Sequence, residues 1–194
     1  MERLRAATGP MHQRLEDTPL SKALMQPELT EATYLTYLEH MRQVIAWTEQ
    51  HIFPAVSSVM PDIAQRYKLR AIDNDILFLR SRTPAANPSV FPEVSDRVYP
   101  LGRALGHMYV MEGATLGGRI ILQHIKGTLA LDETTGGVAF FTGYGADTGA
   151  RWRSFLAILT EQAALHGLED AIVSGAKEAF EHIENYFSGS TICR

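Results

Sequence analysis

The stretch Tyr109-Val-Met-Glu-Gly-Ala-Thr-Leu-Gly-Gly-Arg-Ile-Ile121 carries three glycines inside a pattern that is otherwise helical. Each glycine in a helix interior costs roughly 1 kcal/mol relative to alanine, so Gly113, Gly117 and Gly118 need a compensating contact. Residues three and four apart share a helix face, and these glycines therefore form, with Ala114, one patch nearly free of side chains. A closely packed second helix or a flat ligand lying across the backbone would each explain the patch. Spacing alone favours helix packing by roughly two to one.

Length and composition indicate one globular domain that covers residues 1–194. Hydrophobic residues make up 45%, charged residues 21%, and the formal net charge of -4 argues against an electrostatic grip on nucleic acid. The single cysteine, Cys193, excludes an internal disulfide framework and a cysteine-ligated metal cluster. Residues 188–194 are expected to form a frayed tail. With no apolar signal core and no run near the roughly 18 apolar residues of a spanning helix, we expect a cytoplasmic protein without a membrane anchor.

Helical periodicity runs through most of the sequence and predicts an all-α fold. The predicted helices run from about Leu4 to Asp17, Thr30 to Phe53, Pro61 to Leu79 in two pieces, Pro100 to Lys126, Thr148 to His166, and Glu169 to Phe187. Gly9-Pro10 predicts either a kink in the first helix or a regular part that starts at the proline. Prolines predict a loop from Ser81 to Ser95, and the pair Phe140-Phe141 could be extended. The expected architecture is a bundle of roughly seven or eight helices, including short ones.

The histidines are the candidate metal ligands, and one of them has informative neighbours. No pair forms H-E-x-x-H and no E-x-x-H repeat of the di-iron kind occurs, which disfavours a metal site built from side chains alone. Glu16 follows His12 by one helical turn and can accept a hydrogen bond from the ring nitrogen that a metal would leave free. Arg5 lies two turns before His12 on the same face. A surface pair with an unrelated arginine has the same spacing, and by itself the spacing favours that interpretation by roughly two to one.

Four motifs, in order along the chain, resemble the heme oxygenase family. They are Leu4-Arg-Ala-Ala-Thr-Gly-Pro-Met-His-Gln-Arg-Leu-Glu16, Glu112-Gly-Ala-Thr-Leu-Gly-Gly118, Phe140-Phe-Thr-Gly-Tyr-Gly-Ala-Asp-Thr-Gly-Ala-Arg-Trp-Arg-Ser-Phe155 and Ala176-Lys-Glu-Ala-Phe-Glu-His-Ile-Glu-Asn-Tyr-Phe187. Each motif is moderately specific, and together they span nearly the whole chain and are most similar to the bacterial branch associated with bacteriophytochromes. The resemblance implies a single-domain helical bundle that holds heme between a proximal N-terminal helix and a glycine-rich distal helix.

The resemblance implies a role for each candidate residue. His12 would be the axial ligand of the heme iron, and Glu16 would be its hydrogen-bond partner. The distal wall would consist of the small residues Gly113, Ala114, Gly117 and Gly118. Basic residues at positions that bind the heme propionates are Arg5, Arg151 and Arg153. The pocket-wall aromatics would be Phe180 and Phe187, for which plain core packing is an equal alternative.

In that family heme b is both cofactor and substrate, and O2 opens the ring to biliverdin with release of carbon monoxide and ferrous iron. A glycine backbone close to the heme would direct oxygen to the ring edge and leave room for ordered water. Many members carry an aspartate where this chain has Ala114, so the proton route is open, with Thr115 and Arg119 as candidates. The sequence has no glycine-rich flavin or NAD motif, so a ferredoxin or flavoprotein reductase would supply electrons. A bacteriophytochrome would be a candidate acceptor of biliverdin.

Two other functions fit the same residues. A heme or bilin carrier of this fold would bind its ligand without releasing carbon monoxide, which the absence of a carboxylate at Ala114 allows. A helical interaction protein independent of heme would pack the bare patch against another helix. Hemin binding separates the interaction protein from the other two, and carbon monoxide release separates the enzyme from the carrier.

Overall fold

Nine α-helices form the framework of the computed structural model, which describes residues 2–83 and 98–187. They are α1 Glu2–Glu16, α2 Pro19–Leu24, α3 Glu31–His51, α4 Phe53–Val56, α5 Leu69–Arg80, α6 Leu101–Leu129, α7 Ala139–Thr142, α8 Thr148–His166 and α9 Glu169–Phe187. Short 3-10 turns occur at Ile63–Gln65 and Gly145–Asp147. The described ranges contain no strand, which confirms the all-α prediction. None of the helices in these ranges is both long and apolar enough to cross a membrane.

Local signals place several helix ends where the sequence predicts them. Thr30 caps α3, because its hydroxyl oxygen accepts a hydrogen bond from the backbone N–H of Thr33 at 3.2 Å. Gly167 ends α8 in the left-handed region, with φ of 61°. The last helix has the predicted bounds, Glu169–Phe187. At these positions, the residues next to a helix end are therefore sufficient to predict where the helix begins or ends.

One local prediction is wrong, and one of the two alternatives for another is excluded. Phe140-Phe141 is helical, because the buried carboxylate of Asp75 accepts hydrogen bonds from the backbone N–H groups of Ala139 and Phe140 at 2.9 and 2.8 Å. This carboxylate of α5 thereby caps the start of α7. The first helix does not start at Pro10, since α1 continues through it. Most of the loop predicted from Ser81 to Ser95 lies in residues 84–97, and this part and the tail 188–194 fall outside the described residues.

Helix α9 holds in place the two helices that carry the candidate site. α1 runs beside α9 in the same direction, as salt bridges near its two ends show: Arg3 to Asp170 at 2.5 Å and Arg14 to Glu184 at 3.0 Å. α6 packs along another side of α9 and makes the most extensive helix contact of the bundle. The relative positions of α1 and α6 are thus set by a shared neighbour.

The contact between α6 and α9 is closest at two glycines. A Cβ atom at Gly106 would lie 2.1 Å from the carbonyl oxygen of Ile172, and one at Gly175 would lie 2.1 Å from the carbonyl oxygen of Arg103. Backbone atoms on both sides occupy the space that side chains would need. Close helix packing in α6 therefore occurs at Gly106, two turns before the glycine patch.

We expect Gly175→Ala to destabilise the fold by about 3 kcal/mol, the upper part of the range for overpacked cores, because the backbone of α6 must move. Gly127→Ala is the matched control, since a Cβ at Gly127 would meet no atom within 4 Å. It should instead stabilise the protein by about 0.5–1 kcal/mol through helix propensity. Urea unfolding followed by circular dichroism measures both changes. Equal stability of Gly175→Ala and the wild type would contradict the packing argument.

Candidate functional site

His12 and Glu16 lie together on an exposed face of α1. The Nδ1 atom of His12 is 3.4 Å from Oε1 of Glu16, and 63% of the histidine side chain is exposed. Since the carboxylate adjoins Nδ1, the Nε2 atom is the nitrogen available to a ligand. The ring also meets Phe180 of α9 edge-on, with centroids 6.1 Å apart. The structure brings the predicted pair together, and its role as an iron ligand stays a prediction.

The glycine patch of α6 is open in its middle and bounded by an aromatic ring on each side. A Cβ atom at Gly117 would meet no atom of the described residues within 4 Å. The corresponding position at Gly113 lies 3.6 Å from the ring of Trp152 in α8, and that at Gly118 lies 3.5 Å from the ring of Phe141 in α7. The patch is therefore an open strip of backbone between two aromatic side chains, a surface suited to a flat apolar ligand.

Contacts along α9 place His12 at the level where this strip begins. Gly102 of α6 lies against Ala171 and Gly106 lies against Gly175, so α6 and α9 run in the same direction. From the equal rise per residue of the two helices, we infer that Phe180 lies at about the height of Met111. His12 contacts Phe180 from the side of α1. The histidine and the start of the glycine strip thus lie at one height of the bundle, on two helices that share α9 as their support.

The surface beside the strip is apolar enough to accept a heme. Leu116 and Ile120 of α6 are 40% and 69% exposed, although both are large aliphatic residues. Covering them would stabilise a complex by about 25 cal/mol per Å² of apolar area removed from water. Together with an accessible histidine nitrogen, these features fit an iron porphyrin.

The predicted propionate-binding arginines differ in their surroundings. Arg5 and Arg153 are exposed. Arg151 instead forms a salt bridge to Asp62 at 3.1 Å and donates a hydrogen bond to the side-chain oxygen of Gln65. Of the three, Arg151 is already committed to partners within the protein, whereas Arg5 and Arg153 present their guanidinium groups to solvent.

The two predicted aromatics belong to the core, and neither lines the pocket described below. Phe180 and Phe187 are 4% and 7% exposed and belong to the hydrophobic core. Phe180 also touches His12, and Phe187 packs edge-on against Tyr37 with centroids 5.3 Å apart. Core packing therefore holds for both, and Phe180 supports the face of α1 that carries the candidate ligand.

A pocket opens on one side of the strip. Its empty volume, including the part open to solvent, is about 800 Å³, and its walls come from α3, α6, α7 and the segments before α5 and α8. Ala114 and Gly118 are the predicted site residues that line it, whereas His12 lies outside it. The small residues of α6 thus adjoin a space large enough for several water molecules or a small ligand.

A buried charge cluster lies at one wall of this pocket, and the sequence analysis missed it. Arg66 is fully buried and donates hydrogen bonds to Glu112, which is 2% exposed, and to Asp62 at 2.8 Å. The Tyr144 hydroxyl donates to the other oxygen of Glu112 at 2.9 Å, and Lys68 donates to that hydroxyl at 2.5 Å. The available signal was Glu112 itself, because a carboxylate inside an apolar helix stretch requires a buried partner.

The cluster shifts the pKa values of its members in different directions. Burial lowers the pKa of the Lys68 ammonium group, although Glu112 opposes this change. Burial, then the charge of Glu112, raises the pKa of the Tyr144 hydroxyl. Burial alone would raise the pKa of Asp62, but hydrogen bonds and charge from Arg66 and Arg151 outweigh it and lower the value.

A second buried group of side chains joins α3, α6 and α9 around Trp47. The Trp47 ring lies 5.0, 5.5 and 4.1 Å from those of His51, His107 and His182, measured between centroids. Among the residues that the structure describes, the ring nitrogen of Trp47 and the three Nε2 atoms have no hydrogen-bond partner. Within residues 2–83 and 98–187, no set of three or more candidate ligand side chains is arranged to hold a metal ion.

Because histidines are buried in this group, we expect acid to destabilise the protein. Burial, with a smaller effect of a neighbouring histidine, lowers the pKa of His107 to about 3 and that of His182 to about 4, from 6.5. Because both values fall on folding, stability is complete above pH 6.5 and decreases as pH falls towards these values. We expect a loss of about 2 kcal/mol per histidine at about pH 5. In urea unfolding, the free energy of unfolding of His107→Phe should decrease about half as much as that of the wild type when the pH is lowered to about 5. Equal decreases in the two proteins would contradict the role of His107 in this acid sensitivity.

Sequence comparison finds one family model that matches the chain. The sequence model of the heme oxygenase family matches residues 1–188. No curated protein sequence matches the chain.

Three solved structures have the same fold. The heme oxygenase from Neisseria meningitidis, studied with NO and CO bound, superposes with a TM-score of 0.75 at 20% identity over 97% of this chain and 89% of that one. The heme oxygenase from Leptospira interrogans gives 0.73 at 18% identity, with 96% and 97% covered. Heme oxygenase-1 from the cyanobacterium Synechocystis, in complex with heme, gives 0.73 at 17% identity, with 97% and 90% covered. The match over residues 1–188 shows that the chain belongs to the heme oxygenase family.

Proposed function

We propose that the protein is an active heme oxygenase that opens heme to biliverdin with release of carbon monoxide and ferrous iron. The proposal rests on the exposed His12–Glu16 pair of α1 and on the open glycine strip of α6, two features that we infer to lie at about the same height of the bundle. Membership of the family and the shared fold support it. Heme b would be both cofactor and substrate, with O2 as the oxidant.

On the proximal side, His12 would hold the heme through Nε2. When bound, heme supplies the iron that activates O2 and the ring that is cleaved. Glu16 lies 3.4 Å from Nδ1 of His12, where a carboxylate would orient the ring and leave Nε2 for the iron. A neutral histidine would donate less electron density to the iron than a thiolate ligand would.

On the distal side, the small residues of α6 let the heme approach the helix backbone. Gly117 leaves the middle of the strip open, and Ala114 adds only a methyl group. Gly113 lies beside the ring of Trp152, and Gly118 lies beside the ring of Phe141. Such a wall would hold the heme close to the helix backbone and limit the space left for O2 and water on this side.

The heme edge that carries the propionates would meet the exposed guanidinium groups of Arg5 and Arg153. Arginine suits carboxylates because its planar group donates two parallel hydrogen bonds. Arg151 would contribute only if it left Asp62 and Gln65. We therefore assign Arg151 a supporting role in the charge cluster.

Electrons would come from a separate ferredoxin or flavoprotein reductase, and a bacteriophytochrome is the proposed acceptor of biliverdin. The first proposal follows from the lack of a glycine-rich flavin or NAD motif in the sequence, and the second from the resemblance to the bacteriophytochrome-associated branch. A cytoplasmic location fits this exchange of a soluble product. Transfer of electrons from a purified ferredoxin and its reductase would test the first partner.

A carrier of heme or bilin is the second candidate, because Ala114 lacks the carboxylate that many family members use on the distal side. One experiment separates the two functions. Hemin is added to the purified protein, and the complex is reduced under air while carbon monoxide and the absorption spectrum are recorded. The enzyme should give carbon monoxide and a biliverdin spectrum, whereas stable heme without carbon monoxide, or bleaching without biliverdin, would overturn the proposal.

A further inference from the structure

The pocket beside Ala114 contains an ionisable side chain to which the proposed function gives no role. Lys68, at the start of α5, lines this pocket together with Ala114, Thr115 and Gly118 of α6. Its side chain is 14% exposed, although lysine is rarely so buried without a partner. An ammonium group therefore adjoins the same space as the glycine strip.

Three neighbours hold the Lys68 ammonium group. Its Nζ atom donates hydrogen bonds to the hydroxyl oxygen of Tyr144 at 2.5 Å and to the carbonyl oxygen of Arg66 at 3.3 Å. Oε1 of Glu112 lies 3.8 Å from Nζ and accepts from the Tyr144 hydroxyl at 2.9 Å. An ammonium group has three N–H donors, so the third can point to Glu112 or to water in the pocket.

The charges around Lys68 leave it a weaker base than a surface lysine. Burial and the positive charge of Arg66 lower its pKa, while the negative charges of Glu112 and Glu49 oppose this. The Glu49 carboxylate is engaged elsewhere, because it accepts the backbone N–H groups of Lys68 and Leu69 at 2.6 and 2.8 Å. A lysine with a lowered pKa releases a proton more readily near neutral pH.

The other candidates for the proton route are less suitable. The Thr115 hydroxyl donates its hydrogen to the backbone carbonyl oxygen of Glu112 at 2.6 Å. Arg119 is exposed, and an arginine side chain keeps its proton in proteins. Ala114 has no acidic group. Among the pocket-lining cations, Arg66 keeps its proton as Arg119 does, so Lys68 is the remaining candidate proton donor.

We propose that Lys68 supplies the proton that the oxygen chemistry consumes, an inference that rests on the proposed heme oxygenase function. The ammonium group gives one proton to a water molecule in the pocket, and this water passes a proton to O2 as the external donor reduces it. Lys68 is left as the neutral amine and recovers its proton from solvent. Tyr144 and Glu112 are positioning residues, because they fix the direction of Nζ.

Lys68→Arg and Lys68→Gln test the proposal in the full chain loaded with hemin. Single turnovers of the reduced complex with O2 are followed by stopped flow from neutral to alkaline pH. The wild-type rate should fall as pH rises through the lowered pKa of Lys68. Both variants should bind hemin normally and turn over about 100-fold more slowly, at the low end of the usual contribution of general acid catalysis. In Lys68→Arg, the arginine keeps the positive charge but does not release its proton. The turnover rate of this variant should therefore not depend on pH in this range.

Hydrogen peroxide provides the matched control for the variants. It already carries the two electrons and two protons that O2 would need, so the variants should react with it as fast as the wild type. Wild-type rates with O2 in either variant, or loss of hemin binding in both, would overturn the assignment of Lys68. Absence of biliverdin in the wild type would instead overturn the proposed function.

Discussion

Replacing His12 with alanine is expected to remove the histidine–iron signature of the hemin complex and to lower biliverdin formation by more than about 100-fold. Loss of an outer partner of a metal-bound histidine typically costs 10–100-fold, and loss of the ligand itself should exceed that. The ring is 63% exposed in the structure, so its removal leaves the core of the bundle intact. Absorption and resonance Raman spectra of the reduced complex measure the bond.

Two controls sharpen this result. His124→Ala removes a half-buried histidine, whose Nε2 atom lies 3.0 Å from the backbone carbonyl oxygen of Gln26, and should leave the heme spectrum unchanged. Added imidazole should restore the spectrum of His12→Ala, since an exposed site admits the free ring. Glu16→Gln should keep the bond and weaken it, with a loss of about 10–100-fold in activity. An unaltered spectrum in His12→Ala would show that another residue binds the iron.

Gly117→Ala is expected to separate stability from function. A Cβ at Gly117 meets no atom within 4 Å, so the substitution should stabilise the heme-free protein by about 0.5–1 kcal/mol. In the complex, the same methyl group would stand between the helix backbone and the heme. A displacement of reacting groups by about 1 Å can cost about 100-fold, and we expect a loss of that order in biliverdin formation.

Gly127→Ala is the matched control, because it lies in the same helix and its Cβ position is equally open. Both variants should gain similar stability in urea unfolding without heme, and only Gly117→Ala should lose turnover. Full activity in Gly117→Ala would contradict the assignment of this strip as the distal wall. Equal losses in both variants would point instead to a general effect on α6.

Features that depend on nearby residues could be predicted from the sequence. The His12–Glu16 pair needs only a helix and a spacing of four, and the cap at Thr30 and the end at Gly167 depend on single residues. The glycine patch was predicted as one face. The rings of Trp152 and Phe141 that border the patch come from other helices, and their positions could not be predicted from the sequence.

Features that join distant positions escaped the sequence analysis. Arg66 and Glu112 are 46 positions apart, and a hydrophobic pattern shows neither which charges are buried nor how they pair. Arg151 illustrates the same limit, because Asp62 and Gln65 engage it in the folded protein. Asp75, which caps α7, reverses the extended expectation for Phe140-Phe141 by a contact across 65 positions.

The close contact of Gly106 with Gly175 makes the site sensitive to changes in chain length. Inserting one residue between Gly175 and Phe180 would turn the rest of α9 by about 100° and advance it by about 1.5 Å. Phe180 would then leave His12, and α1 would lose its alignment with the glycine strip although every candidate site residue was still present. Homologous sequences that conserve the site should therefore also conserve the number of residues between these two points of α9.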